Sequence, residues 1–282
     1  MTSSVQVDWT PMVLAVAPNG ARKTQADHPA IPITPAELAA TAATAHQAGA
    51  AMIHLHVRDA ELKHSIDVGA YREATAAIRE AVGDRMVIQV TSEAVGMFTP
   101  QQQMAMVREL QPEAVSLAVR EVIPEGGEEE AREFLAWLVG AGILPQYILY
   151  AAEDVERFGK LQENGVVPSG SACLLFVLGR YTAGQRSVPN DLLPYLSTIE
   201  AWPEAARLPW AICAFGAKET ACVTAAATLG GHARVGFENN VLLPSGAQAR
   251  DNAELVAACA AAAAAFGRPL ADAATTRRLM GG

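Results

Sequence analysis

Short β-branched apolar runs alternate with longer helix-compatible stretches eight times along this chain, and that alternation limits the available folds more than any other feature. The strand candidates are Val13–Ala17, Met52–Val57, Met86–Thr91, Ala114–Ala118, Gln146–Tyr150, Ala172–Leu178, Trp210–Ala214 and Ala233–Glu238. Most are near-continuously apolar, as strands covered on both faces are. The stretches between them carry helix punctuation. Thr34-Pro35-Ala36-Glu37 reads as a capping box with Pro at the first helical position, Thr99-Pro100 repeats that start, and Asn190-Asp191 offers a further cap. Gly49, Gly83, Gly142, Gly165 and Gly230 stand where helices should stop before the next strand. With no GxGxxG turn among the eight βα units, the pattern predicts a single (β/α)₈ TIM barrel rather than an open doubly wound sheet. Residues 1–282 read as one barrel domain. Its eighth helix ends near Phe266, and a C-terminal tail follows over about 267–282, helical from Asp272 to Met280.

Composition allows such a barrel and narrows its partners. Of 282 residues, 51% are hydrophobic and 18% charged, so a chain of this size can bury roughly 75% of its unfolded surface. A net charge of −9 with no Lys/Arg cluster argues against nucleic acid and anionic membrane as partners. The four cysteines, Cys173, Cys213, Cys222 and Cys259, show no paired spacing and read as buried thiols of a reduced, cytoplasmic protein. The opening MTSSVQVDWTP lacks the charged and apolar regions of a signal peptide. The alanine-rich tract Ala257–Phe266 is too short to span a bilayer.

The segment Ile53-His54-Leu55-His56-Val57-Arg58-Asp59 is the richest in chemistry. Residues two apart on a strand share a face, so His54 and His56 project together, late in strand two and near the end where barrel chemistry lies. A hydrogen-bonded core pair is the plain alternative. A third ligand candidate favours metal: strand eight ends in Glu238, which shares a face with Arg234 and Gly236, and only strand one separates strand eight from strand two. An inward carboxylate there needs a partner. Two His and one carboxylate with an open fourth position form a catalytic zinc arrangement, which also suits Co, Mn, Ni or Fe. A Glu238–Arg234 ion pair without metal is the competing account.

Four stretches carry a resemblance. VAPNGARKTQADHPAIPITPAELAATAATAHQAGAAMIHLHVRD resembles the opening of the β-keto acid cleavage enzymes, whose archetype cleaves 3-keto-5-aminohexanoate. GGHARVGFENN resembles that family's strand-eight signature, G-G-H-x-R-x-G-x-E-D-N, and RDNAELV and FGRPLADAATTRRLM match its C-terminal region. The resemblance spans essentially the whole chain. It implies a barrel, usually a homotetramer, with Zn²⁺ or another divalent metal on His54, His56 and Glu238. The implied reaction condenses a β-keto acid with acetyl-CoA, giving acetoacetate and a new acyl-CoA.

The chain departs from that pattern at several places. The aspartate expected after the metal glutamate is Asn239; in the family it forms a proton-handling dyad with the arginine matching Arg234, so Arg234 and Asn239 are the catalytic candidates. The carboxylate-binding Q-x-S-T-G-G turn reads Gln89-Val90-Thr91-Ser92-Glu93-Ala94, where Glu93 is a side chain an anion avoids. Thr91, Ser92 and the retained strand-four hydroxyl Ser116 are the remaining carboxylate anchors, while the following asparagine is Ala118. The G-V-P-G-G loop reads Gly179-Arg180-Tyr181-Thr182. Two glutamates that meet the archetype's ammonium align with Arg22 and Ile148, so the expected substrate is anionic or neutral rather than amino. Lys218 and Glu219 read as a helix cap or a CoA contact, and His232 as a residue that could sit near the site. Trp202 and Trp210 read as packing residues. A CoA-independent metal-assisted C–C lyase, or a catalytically silent metal- and carboxylate-binding homologue, are the alternatives these departures leave open.

Overall fold

The structure, a computed structural model, describes residues 8–170, 172–202 and 207–281. The signal-peptide question on residues 1–7, Gly282 of the tail, and Pro203 between the two tryptophans lie outside those residues. Eight parallel strands close into a barrel: β1 (Leu14–Val16), β2 (Met52–Leu55), β3 (Val87–Thr91), β4 (Ala114–Ala118), β5 (Leu144–Leu149), β6 (Cys173–Leu178), β7 (Trp210–Ala214) and β8 (His232–Val235). A helix follows each: α1 (Pro35–Gln47), α2 (Val68–Val82), α3 (Pro100–Leu110), α4 (Glu128–Gly140), α5 (Ala152–Glu163), α6 (Leu193–Glu200), α7 (Glu219–Thr228) and α8 (Asn252–Ala265). The expected (β/α)₈ barrel is what forms.

Local chemistry accounts for the element ends. Thr34 with Glu37, and Thr99 with Gln102, make reciprocal capping boxes at α1 and α3. Asp191 acts differently from the expected helix cap. It accepts from Val188 N at 2.9 Å inside a 3₁₀ turn, Pro189–Leu192, that leads into α6. All five predicted stop glycines have positive φ, the conformation that ends a helix at least cost in glycine. Trp202 lies edge-on to Phe158 and Trp210 stacks on Phe176, the packing roles expected of them. All four cysteines are free and buried.

Several strand ends shift by one to three residues from the sequence reading, and three differences from that reading have a clear physical reason. β8 stops at Val235 rather than Glu238, because Gly236 sits at φ 135° and turns the chain. Its amide N–H leaves the ladder and donates to Glu219 Oε1 at 3.1 Å. β2 stops at Leu55, and Val57–Arg58 instead pairs antiparallel with His64–Ser65 in a small hairpin. Finally, the expected tail is part of the barrel's floor. The buried Arg268 guanidinium donates to the carbonyls of Thr10, Ala227, Gly230 and Gly231. The last helix, α9 (Ala273–Gly281), then places Met280 in an apolar layer with Ala15, Met52, Val87, Ala114 and Cys173. That layer closes the N-terminal end of the barrel and leaves the C-terminal end open for side-chain chemistry.

Candidate metal centre and barrel mouth

At the C-terminal mouth, β2 delivers His54 and the residue beyond its end delivers His56. The backbone of His56 is clasped by Asn19, whose amide donates to His56 O at 2.9 Å and whose Oδ1 accepts from His56 N at 3.3 Å. Glu238 arrives from the turn after β8, not from the strand. Lys23 Nζ holds that turn through Phe237 O at 2.7 Å and Glu238 O at 3.2 Å. Gly20 passes so close that an added Cβ would lie 2.6 Å from Glu238 Cγ. Only glycine allows the first loop to close over this carboxylate at its φ of +65°.

The ring nitrogens are assigned by their partners. His54 Nδ1 donates to Gln89 Oε1 at 2.8 Å, and the Gln89 amide in turn donates to Gln146 Oε1 at 3.2 Å. His64 Nε2 meets the Glu93 carbonyl at 2.7 Å and must donate to it. Its Nδ1 is therefore an acceptor, facing His56 Nδ1 at 3.5 Å. Both Nε2 atoms of the pair are thus left as lone pairs, the orientation that outer partners impose on metal-binding imidazoles. Burial holds His54 neutral, its pKa pushed down to about 4, and pushes His56 well below its usual value. Burial also works against the Glu238 charge, but the cations Arg234, Arg180 and Lys23 outweigh it and hold that pKa low.

Three electron-pair donors therefore converge. His54 Nε2 and His56 Nε2 are 3.2 Å apart and lie 3.6 and 3.7 Å from Glu238 Oε2. An ion about 2 Å from each ligand of a tetrahedral set would separate those ligands by roughly 3.3 Å. Glu238 Oε2 is buried with no hydrogen-bond partner, and no proton lies between the two imidazole lone pairs to relieve them. The donor set fits a divalent cation, and among the described residues these three form the group able to hold one. The competing Arg234 ion pair is also present, at 3.4 Å, but it uses the other oxygen, Oε1.

Above the three donors lies an inner cavity bordered by Thr91, Glu93, Ile148, Tyr150, Val177, Arg180, Phe215 and Arg234. It opens into an outer cavity of about 150 Å³ that adds Arg22, Lys23 and Gln185. Glu93 reaches the mouth from the turn after β3, where Arg180 Nη2 faces it at 3.6 Å. Burial and the nearby Glu238 push its pKa up to about 7. Arg180 also lies over the Phe215 ring, 5.4 Å from its centroid.

A family model described as beta-keto acid cleavage enzyme matches residues 11–281. The chain belongs to the β-keto acid cleavage enzyme family. The 3-keto-5-aminohexanoate cleavage enzyme of Acetoanaerobium sticklandii is 28% identical over 277 residues, which are 96% of this chain and 98% of that protein. The 3-oxoadipate:acetyl-CoA acetyltransferase of Cupriavidus necator is 28% identical over 278 residues, 96% of this chain and 95% of that protein. Among solved structures, the ternary complex of ObcA with a C4-CoA adduct and oxalate aligns with a TM-score of 0.73. It shares 16% identity over 89% of this chain and 67% of that one, a likeness of fold alone. No helix among the described residues is long and apolar enough to cross a membrane.

In this member of the family, several residues singled out in the sequence meet at the mouth. Thr91 borders the inner cavity, and Ser116 Oγ donates to Thr91 Oγ1 at 3.0 Å. Ile148 and Arg234 border the same cavity, and the exposed Arg22 borders the outer one. Others are placed elsewhere. Ser92 falls on the opposite face of β3 from Thr91, and its hydroxyl donates to Gln103 Oε1 of α3 at 3.3 Å, so it is no anchor in the mouth. His232 opens β8 at the closed end of the barrel, its Nδ1 accepting from Val13 N at 3.0 Å. Glu219 is buried beneath the β8 turn, accepting from Gly236 N and from Asn240 Nδ2 at 3.2 Å, while Lys218 is exposed at the start of α7. Asn239 is buried, and its amide makes no hydrogen bond through either atom.

The sequence reading missed Asn19, His64, Gln146, Arg180 and the position of Glu93. Gln146 carried a usable signal, since it is the polar residue on an otherwise apolar strand. His64 carried none, because its position depends on the hairpin.

Proposed function

We propose that this enzyme condenses a β-keto acid bearing a second anionic group with acetyl-CoA, giving acetoacetate and a new acyl-CoA. His54, His56 and Glu238 would hold one divalent metal, zinc by the character of the donors. When bound, that ion supplies Lewis-acid polarisation of the β-keto oxygen. The remaining roles belong to the chain's own side chains. Thr91 Oγ1 already accepts from Ser116 Oγ and from Glu93 N at 3.1 Å. With both lone pairs used, its own proton is left to donate to the substrate carboxylate. Ile148, Val177 and Phe215 give the acyl portion an apolar wall. Relatives named for 3-oxoadipate and for 3-dehydrocarnitine with acetyl-CoA support the reaction class.

The observation that carries the substrate assignment is the charge of the lining. Ile148 faces the mouth and Arg22 the outer cavity, and the nearby Glu93 is already paired with Arg180. An ammonium beside the exposed Arg22 would be repelled by about 1 kcal/mol at 4 Å in water, and by more as substrate excludes solvent from the mouth. A carboxylate there gains a charge-assisted contact. The test compares kcat/KM for 3-oxoglutarate, 3-oxohexanoate and 3-oxo-5-aminohexanoate, with and without acetyl-CoA, in wild type and Arg22→Glu. The dicarboxylate should lead in wild type, in an acetyl-CoA-dependent manner, and lose its lead in the variant. Preference for the amino substrate, or an unchanged ranking in Arg22→Glu, would refute the assignment.

A further inference from the structure

The proposed reaction needs a base, and the residue placed to act is not the one the sequence pointed to. In acetoacetate, the carboxyl and C2 of the β-keto acid are joined to the acetyl group. A C2–acetyl bond must therefore form and the C2–C3 bond must break. C2 can attack only after losing a proton, its C–H electron pair passing into the enolate.

Candidates for that proton are few. Asn239 has no basic atom. His64 has both ring nitrogens engaged. Lys23 directs its ammonium to two carbonyls. Among the described residues, Glu93 and Glu238 are the carboxylates bordering the inner cavity. Glu238 spends Oε1 on Arg234 and turns Oε2 to both imidazoles. Glu93 lies at the edge of that group and outside the three converging donors: its Oε2 is 4.0 Å from His56 Nε2, and its Oε1 is 3.6 Å from Arg180 Nη2. It borders both the inner and the outer cavity, so a molecule in either can meet it.

Resting on the reaction proposed above, we infer that Glu93 is the catalytic base. A Glu93 carboxylate oxygen takes the C2 proton, and the resulting enolate carbon attacks the acetyl thioester carbonyl, expelling CoA thiolate. The thiolate then adds to the C3 carbonyl. The C2–C3 bond breaks with its electrons on C2, and the Glu93 carboxylic acid returns its proton there. One group takes and restores one proton, so the cycle closes. Arg180 positions the carboxylate, and the turn that looked hostile to an anion becomes the working element of the site.

The test is wash-in of deuterium from D₂O at C2 of 3-oxohexanoate without acetyl-CoA, followed by proton NMR against the uncatalysed rate. Metal content is read on the same samples. Glu93→Gln should lose roughly 10²–10⁴-fold of the enzyme-catalysed exchange while keeping wild-type metal. Glu93→Asp, which retains a carboxylate, should keep at least tenfold more than Glu93→Gln. Exchange within threefold of wild type in Glu93→Gln overturns the inference, as do equal losses in the two variants or loss of metal from Glu93→Gln. If wild type exchanges the C2 proton of no β-keto acid, the reaction reading falls too, which separates the two failures.

Discussion

The two walls of the barrel mouth are built on opposite principles. The wall from β2, β3 and β8 presents His54, His56, Thr91, Glu93, Arg234 and Glu238. The wall from β4 to β7 presents a closed cluster of Ala118, Ile148, Leu175, Val177, Ala211, Cys213 and Phe215. The polar wall leaves buried atoms without partners: Glu238 Oε2, Arg234 Nε and Nη1, and both amide atoms of Asn239. A buried polar atom left unpaired costs about 1–3 kcal/mol, and native interiors pair nearly all of theirs with protein, water or ligand. The apolar wall has none of these and contributes packing. One wall is arranged for ligands at the expense of stability, and the other supplies the stability.

The largest contrast should appear when each wall is cut. His56→Ala removes a ligand, so stoichiometric metal, expected at about one ion per wild-type chain, should be lost on elemental analysis, and activity with it. Leu175→Ala on the facing wall should keep its metal and instead lose about 2–5 kcal/mol of stability in denaturant unfolding. Wild-type metal content in His56→Ala would end the metal assignment, and metal loss in Leu175→Ala would erase the distinction between the walls.

A smaller effect tests how far the polar wall extends. Gln146 lies on β5, next to the apolar cluster, yet it belongs to the polar wall through Gln89 and His54. Outer partners of this kind are worth roughly 10–100-fold in metal affinity. Gln146→Leu should therefore weaken metal binding by that factor in chelator competition, with its fold intact. Unchanged affinity would reduce Gln146 to packing.

The two walls also differed in how readable they were. The apolar wall and the barrel itself were legible, because near-continuous hydrophobic strands and paired caps are local signals that repeat along the chain. His54 and His56 were legible from a period of two, although β2 stops at Leu55 and His56 lies one residue past its end. Glu238 was found by an argument that only half holds: the strand ends at Val235, and the turn begun by Gly236 rather than the pleat delivers the carboxylate. Ser92 was named beside Thr91 as a strand-end hydroxyl, but neighbours on an extended chain point to opposite faces, and Ser92 turns to Gln103. Arg180 and Glu93 were invisible as a pair, since they sit 87 positions apart in sequence on two different loops. The tail's helix was legible, expected over Asp272 to Met280 and found at Ala273–Gly281, but its packing was not, since only the closed barrel shows that Met280 fills the floor.

The subtlest test concerns Asn239, where the cost of the polar wall can be measured without disturbing its ligands. Its backbone is secure: the amide N–H donates to Gly236 O at 2.8 Å, and the carbonyl accepts from Gly216 N at 3.2 Å. The side chain alone is unsatisfied, buried with neither amide atom paired. Replacing an unpaired buried polar group with hydrocarbon removes its desolvation penalty and is neutral or favourable when the shape is tolerated. Asn239→Leu should therefore raise stability by up to about 1–3 kcal/mol. At about 2–4 °C per kcal/mol for a chain approaching this size, that is a readable shift in Tm. Metal content should stay at the wild-type level, because Asn239 contributes nothing to the three converging donors. A lower Tm would mean that the amide has a partner when the protein is folded in solution. Asn239 would then join the satisfied groups, and the unpaired atoms of the polar wall would be reduced to Glu238 and Arg234.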